Sequence, residues 1–287
     1  MIWVLPALGA AFFMAAADGL TKRYFSDLPL AQAVLVRLSG LAVSGLVILS
    51  IVPWPELDSW FYWGVAAALP AEVAAVFLYI RALQISPLSL TVPFTAFTPA
   101  FSMIPGMLIL GEAPSWQGFM GLGLLVAGIY GLNLHRFKQG WLAPFKAVTT
   151  EKGSWMMLLV SLLYAYTAVM GRGIVLHSSP WFVAGIYPVI LFTCVSIGLA
   201  AKGKLDFSWK KRPLPVLALA LCMAAMAVCH FQAVALVQTA YMVAVKRLSI
   251  VFAMAYGALV FKEAKPFQHL AAGVVVVLGG VIIVVWG

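Results

Sequence analysis

Ten stretches of mostly apolar residues follow one another with short polar breaks, and roughly 20 such residues are what a helix needs to cross a bilayer. They run about 2–22, 31–53, 60–82, 88–110, 115–134, 154–175, 180–200, 213–236, 239–261 and 267–286. The runs are too long for barrel strands and lack period-two alternation, so each reads as a helix. Of the 287 residues, 64% are hydrophobic and 9% charged, against about 45–50% apolar and about 25% charged in soluble domains. A soluble fold of this size would lack the polar side chains to cover its own surface, so lipid is the solvent that suits this composition. The expectation is an all-α, multi-pass integral membrane protein of ten transmembrane helices, located in a cell membrane, with the bacterial inner membrane favoured. Met1 to Phe25 has no basic leader or small-residue cleavage site, so it reads as a retained helix and not as a signal peptide.

The net charge of +9 does not point to nucleic acid, because Lys and Arg gather in short connections between apolar runs. Lys22, Arg23, Arg81, Arg136, Lys202, Lys204 and Lys262 all fall on odd-numbered connections, whereas even-numbered ones hold Glu56, Asp58 and little basic besides Arg172. The positive-inside rule then places the odd connections in the cytoplasm and both termini outside. Cys194, Cys222 and Cys229 all sit in apolar segments without metal-ligand spacing. They read as small hydrophobes, and neither a disulfide framework nor a metal site is expected.

The longest polar stretch, 136–153, divides the chain into 1–135 and 154–287, five predicted helices each. The halves are alike. Leu110-Gly111-Glu112-Ala113 ends the fourth run and Phe261-Lys262-Glu263-Ala264 the ninth. Glu112 and Glu263 are 151 apart, as are Pro29 and Pro180. One offset at two distant landmarks argues for duplication. An odd number of helices per half inserts the second half upside down, giving two inverted five-helix repeats, an architecture that recurs in secondary transporters.

Charge inside the bilayer costs about 2.5–3.5 kcal/mol per residue on insertion scales, so it must face a partner or a cavity. Glu72 lies mid-run in Ala-Leu-Pro-Ala-Glu-Val-Ala-Ala and reads as a substrate-cation or proton site, or else as half of an ion pair. Lys246 and Arg247 point about 100° apart on the ninth run. Lys246 is the candidate anchor for a substrate carboxylate or partner of Glu72, and Arg247 reaches the surface or a helix end. His230, with Gln232 as a weaker companion, sits at the depth of Lys246 on the eighth run. Asp18 is expected to pair with Lys22 one helical turn on. Arg37 and Arg81 fall near predicted helix ends and read as anchors or gate ion pairs. Pro87, Pro93, Pro99 and Pro105 break the fourth run and free carbonyls such as that of Thr95. Thr95, Thr98 and Ser102 add hydroxyls, giving a merely kinked helix or a cavity wall that bends. Tyr79 and Tyr164 are the deepest tyrosine candidates for a cavity.

The two-repeat pattern, each fourth helix ending in Gly-Glu or Lys-Glu before a Gly-rich fifth, resembles the EamA-type branch of the drug/metabolite transporter superfamily. The segment Ala244-Val245-Lys246-Arg247-Leu248-Ser249 followed by Phe261-Lys262-Glu263 is similar to the ninth helix of that branch. The resemblance implies a central cavity lined by helices one, three, four, six, eight and nine, with the fifth and tenth peripheral. Those two carry small residues at packing spacing, Gly123, Ala127 and Gly131 in one and Ala272, Gly279 and Gly280 in the other. Such residues let backbones approach in lipid, and a homodimer would form there.

These residues point to a secondary active transporter moving a small organic metabolite, an amino acid or related carboxylate, by alternating access. The alternative is a proton-coupled exporter of hydrophobic or cationic drugs, with Glu72 as drug and proton site. No phosphate-binding Gly-x-x-x-x-Gly-Lys-Ser/Thr is present, and neither His-Glu-x-x-His nor Gly-x-Ser-x-Gly. The chain is therefore expected to be neither an ATPase nor an enzyme, and to need no cofactor.

Overall fold

The computed structural model of the chain describes residues 2–86, 92–131 and 152–252, together with Gly279 and Ile282. All regular elements among them are helical: α1 (Val4–Tyr24), α2 (Leu30–Ile51), α3 (Ser59–Ile85), α4 (Thr98–Leu110), α5 (Trp116–Gly131), α6 (Lys152–Leu176), α7 (Pro180–Ala201), α8 (Pro213–Leu236) and α9 (Thr239–Lys246). A 3₁₀ turn, Val92–Phe97, leads into α4, and helical turns continue past α9 to Phe252. Among the described residues six helices, α1 to α3 and α6 to α8, are long and apolar enough to cross a membrane. The predicted tenth helix, apart from Gly279 and Ile282, the connecting stretch 136–150, Glu263 and Pro87 lie outside the described residues.

Helix ends follow local chemistry. The Asp58 carboxylate accepts from the Phe61 N–H at 3.0 Å and caps α3. Ser179 caps α7, which opens on Pro180. Helix α4 stops at Gly111, whose φ of 64° lies in the left-handed region that a missing Cβ permits. The Glu112 N–H then donates back to the Gly106 carbonyl at 3.1 Å, turning the chain so that the Glu112 side chain lies across the bundle end.

Neighbours are chosen from the opposite half of the chain. Helix α1 packs on α8, α3 on α6, α2 on α7 and α4 on α9. This set is unchanged when each helix of the first five is exchanged for its counterpart in the second. The α2–α7 contact brings backbones together, since a Cβ on Gly45 would lie 2.4 Å from the Gly185 carbonyl oxygen. Leu5, Leu46, Ile104, Leu108 and Leu217 stay exposed on the outside, where lipid is their solvent.

The ninth run departs from a regular helix although it holds no proline. At Arg247 the N–H is shared between the Val243 and Ala244 carbonyls, and the Leu248 N–H bonds Val245, a tightening to three-residue turns. The 3₁₀ turn of the fourth run covers the matching place, Thr95 and Lys246 being 151 positions apart.

Candidate functional site

Two kinds of polar cluster lie inside the bundle. The first is closed. Asp18 of α1 meets Arg37 of α2 at 2.8 Å. The Tyr79 hydroxyl of α3 donates to the other Asp18 oxygen at 2.6 Å. Arg37 also donates to the Thr21 hydroxyl at 3.0 Å, and its guanidinium sits 5.3 Å from the Tyr79 ring centre. Asp18, Arg37 and Tyr79 are 5%, 4% and 2% exposed. The expected Asp18–Lys22 pair is therefore corrected. Lys22 instead donates to the Leu83 carbonyl at 2.8 Å, and Arg37 lies two turns inside α2 and not at its end. A bidentate-capable guanidinium beside a buried carboxylate outcompetes a flexible ammonium one turn away.

The second cluster is only half-buried. Glu72 (α3), Tyr164 (α6), Tyr187 (α7), His230 (α8) and Lys246 (α9) are each neither sealed nor on the outer surface. The Glu72 carboxylate lies within electrostatic reach of the Thr167 hydroxyl and of Lys246, Tyr164 and Tyr187. The Lys246 ammonium approaches His230 Nδ1 at 3.3 Å. Five helices thus each contribute a polar group of intermediate exposure to the bundle interior, the kind of group that at membrane depth must face a partner or a cavity.

Arg247 joins the walls from behind. It is 6% exposed and donates to the Thr98 hydroxyl at 2.8 Å, so of the two expected places, the surface or a helix end, it lies at the end of α9 against the first residue of α4. Thr98 in turn donates to the Thr95 carbonyl at 2.7 Å and meets the Ser161 hydroxyl at 3.0 Å. Ser161 bonds the Phe94 carbonyl at 2.8 Å. The Thr95 carbonyl that Pro99 frees is thereby satisfied within the protein, as backbone at membrane depth requires. Pro93 falls in the 3₁₀ turn, Pro99 opens α4 and Pro105 lies inside it. Gln232 is half-buried, and its Nε2 has no hydrogen-bond partner among the described residues. Arg81 is exposed.

Both ends of the bundle carry bonds between the halves. On the basic face Arg212 grips Asp27 with two bonds of 2.9 and 2.6 Å, and Gln32 donates to Asp206. The Arg212 guanidinium holds the Asp27 carboxyl below the usual carboxylate range. On the opposite face His177 meets Asp58 at 2.5 Å and stacks on Trp60 at 4.9 Å. The Phe61 N–H, and then His177, hold the Asp58 carboxyl below its usual range. There too, Glu112 pairs with Arg172 at 2.8 Å and accepts from the Thr239 N–H and hydroxyl, capping α9. Arg172 also donates to the Val234 carbonyl at 2.7 Å. Lys22 does the same to Leu83, and Leu83 and Val234 are 151 positions apart.

Of the expected chamber residues, Lys246 and His230 meet at 3.3 Å, and Glu72 lies within electrostatic reach of Lys246 and Tyr164. Sequence reasoning passed over Tyr187 as a cavity candidate and missed the Glu112–Arg172 pair. The available signal was Arg172 itself, a cation on the side of the chain that otherwise lacks them.

A solved structure described only as a crystal structure of a protein aligns over 100% of this chain and 99% of its own, with a TM-score of 0.74 at 12% identity. That likeness concerns the fold. No curated protein matches the sequence. The model of the EamA-like transporter family matches twice, over residues 1–134 and 151–286. The chain belongs to the EamA-like transporter family, and is a multi-pass membrane transporter of the drug/metabolite type.

Proposed function

We propose that the chain is a secondary transporter for a small carboxylate-bearing metabolite, an amino acid or a close relative, bound in the half-buried chamber. The observation that carries this is a charge imbalance. Among the described residues inside the bundle, Arg37, Lys246 and Arg247 face only Asp18 and Glu72. Arg37 is taken by Asp18. Glu72 lies within electrostatic reach of Lys246, and Arg247 has no carboxylate of its own among the described residues, so a carboxylate on the substrate supplies the missing charge. Lys246 takes that carboxylate, Glu72 takes a substrate ammonium or a proton, His230 orients Lys246, and Tyr164 and Tyr187 supply ring surface.

The two stretches matched by the family model, the exchange-invariant helix pairs and the 151-residue offsets support ten helices in two inverted repeats. In such a pair, exchanging the shapes of the halves closes one face and opens the other. The bonds across each face, Asp27–Arg212 and Asp58–His177, are the groups that would break in turn. The matched breaks in the fourth and ninth runs are where the walls would bend. The fifth and tenth helices remain the surface proposed for pairing two copies.

The test is a thermal-shift screen of metabolites on the purified chain. A ligand at a hundred times its Kd adds about 2.7 kcal/mol of stability. Amino acids or monocarboxylates are expected to raise the unfolding temperature of the wild type, with the shift lost in Lys246→Met. Stabilisation by hydrophobic cations alone, abolished in Glu72→Gln and kept in Lys246→Met, would favour the drug exporter instead.

A further inference from the structure

A groove of about 740 Å³ lies between α2, α3 and α7, apart from the chamber. Its walls are Val73 and Phe77 of α3 and Val195, Gly198 and Leu199 of α7, with the start of α2 beside them. Val195 and Leu199 are buried floor residues, whereas Cys194 and Gly198 are exposed, so the groove opens sideways out of the bundle. A Cβ on Gly198 would meet nothing within 4 Å.

Its depth matches one leaflet. Helix α3 ends at Ile85 on the basic face. From there to Val73 is about 18 Å at 1.5 Å per residue, and half of the hydrocarbon core is about 15 Å. The lining along α7 runs from Cys194 to Lys202, about 12 Å at 1.5 Å per residue, and an apolar trough of that length, open toward lipid, suits the headgroup-proximal part of an acyl chain.

The mouth is cationic. Lys202 and Lys204 line it at the end of α7, both exposed. The Lys202 backbone is fixed there by its N–H to the Leu199 carbonyl at 3.2 Å. The acidic group at the rim, Asp206, receives the Gln32 amide. Two ammonium groups against one carboxylate at headgroup level favour an anionic phosphate over a zwitterionic headgroup.

We propose that this groove is a binding site for a resident anionic glycerophospholipid, with an acyl chain along Val73, Phe77 and Leu199 and the phosphate on Lys202 and Lys204. The site needs only that the chain sits in a bilayer, and is independent of what the chamber carries.

The experiment is purification of the full chain in a mild non-ionic detergent from mixed phosphatidylglycerol and phosphatidylethanolamine membranes, then mass spectrometry of the retained lipid. Wild type is expected to retain phosphatidylglycerol above its share in the membrane. Lys202→Gln with Lys204→Gln should lower that enrichment by roughly 25-fold, a factor of about five per lysine. Gly198→Trp should expel the chain and lower both lipids. Retention of neither lipid by wild type, equal retention of both, or enrichment unchanged in the lysine variant would each overturn the proposal. The two lysines are exposed, so their replacement tests the site even if Gly198→Trp fails to fold.

Discussion

Asp18 and Glu72 are both carboxylates inside the bundle, yet their surroundings differ in kind. Asp18 has a guanidinium on one oxygen and a phenol on the other, and the group is sealed. Glu72 has the Thr167 hydroxyl and the Lys246 ammonium within electrostatic reach, and partial exposure. The first cluster ties α1, α2 and α3 of one half together and has nothing left to offer a ligand. The second draws on both halves and has bonding capacity to spare. In the proposed reading, the saturated charge is the frame and the unsaturated charge is the binding site.

The sharpest break of that contrast is in stability. Arg37→Ala leaves Asp18 buried without its cation and should cost about 3–5 kcal/mol, seen as a large fall in unfolding temperature or loss of the monodisperse protein. If Arg37→Ala unfolds like the wild type, the cluster is not the frame. Next comes Glu112→Gln, which weakens charged bonds to Arg172 and the start of α9. It should cost about 1.5–3 kcal/mol by the same assay. Glu72→Gln should leave stability unchanged or raised, because an incompletely paired carboxylate in the bilayer is costly to keep. A destabilisation as large as that of Arg37→Ala would show that Glu72 belongs to the frame after all.

The smallest effect is at the faces. The folded chain holds Asp58 below its ordinary carboxylate range, so its contribution to stability is present above the unfolded value, about pH 4. It is lost as pH falls through the lowered folded value. The difference in unfolding temperature between wild type and Asp58→Asn should therefore be present at neutral pH and vanish in acid. A difference that grows in acid would reverse the sign.

Much of this was legible in the residues. Hydrophobic runs mark helices whatever the packing, and the predicted start of α8 at 213 and of α7 at 180 coincide with the observed ones because prolines mark both. Glu72 was legible because nothing within snorkelling distance relieves a mid-run carboxylate. Asp18 was misread because the one-turn rule sees Lys22, while the true partner, Arg37, comes from the next helix and is found only once α1 and α2 pack. The break at Arg247 was hidden for a related reason. Proline announces a broken helix, but here side-chain bonds from Arg247 to Thr98 accompany the break with no local signature. Pairings within a turn are written in sequence, and those between halves emerge from the fold.

The central claim is that Lys246 and Glu72 touch the transported molecule while Asp18 and Arg37 do not. Counterflow of radiolabelled neutral amino acids and monocarboxylates into proteoliposomes tests it directly, comparing wild type, Lys246→Met, Glu72→Gln and the conservative Arg37→Lys. Substrate accumulation by wild type and by folded Arg37→Lys, with loss in Lys246→Met and Glu72→Gln, is the predicted result. Accumulation of the same substrate at the wild-type rate by both chamber variants would contradict it.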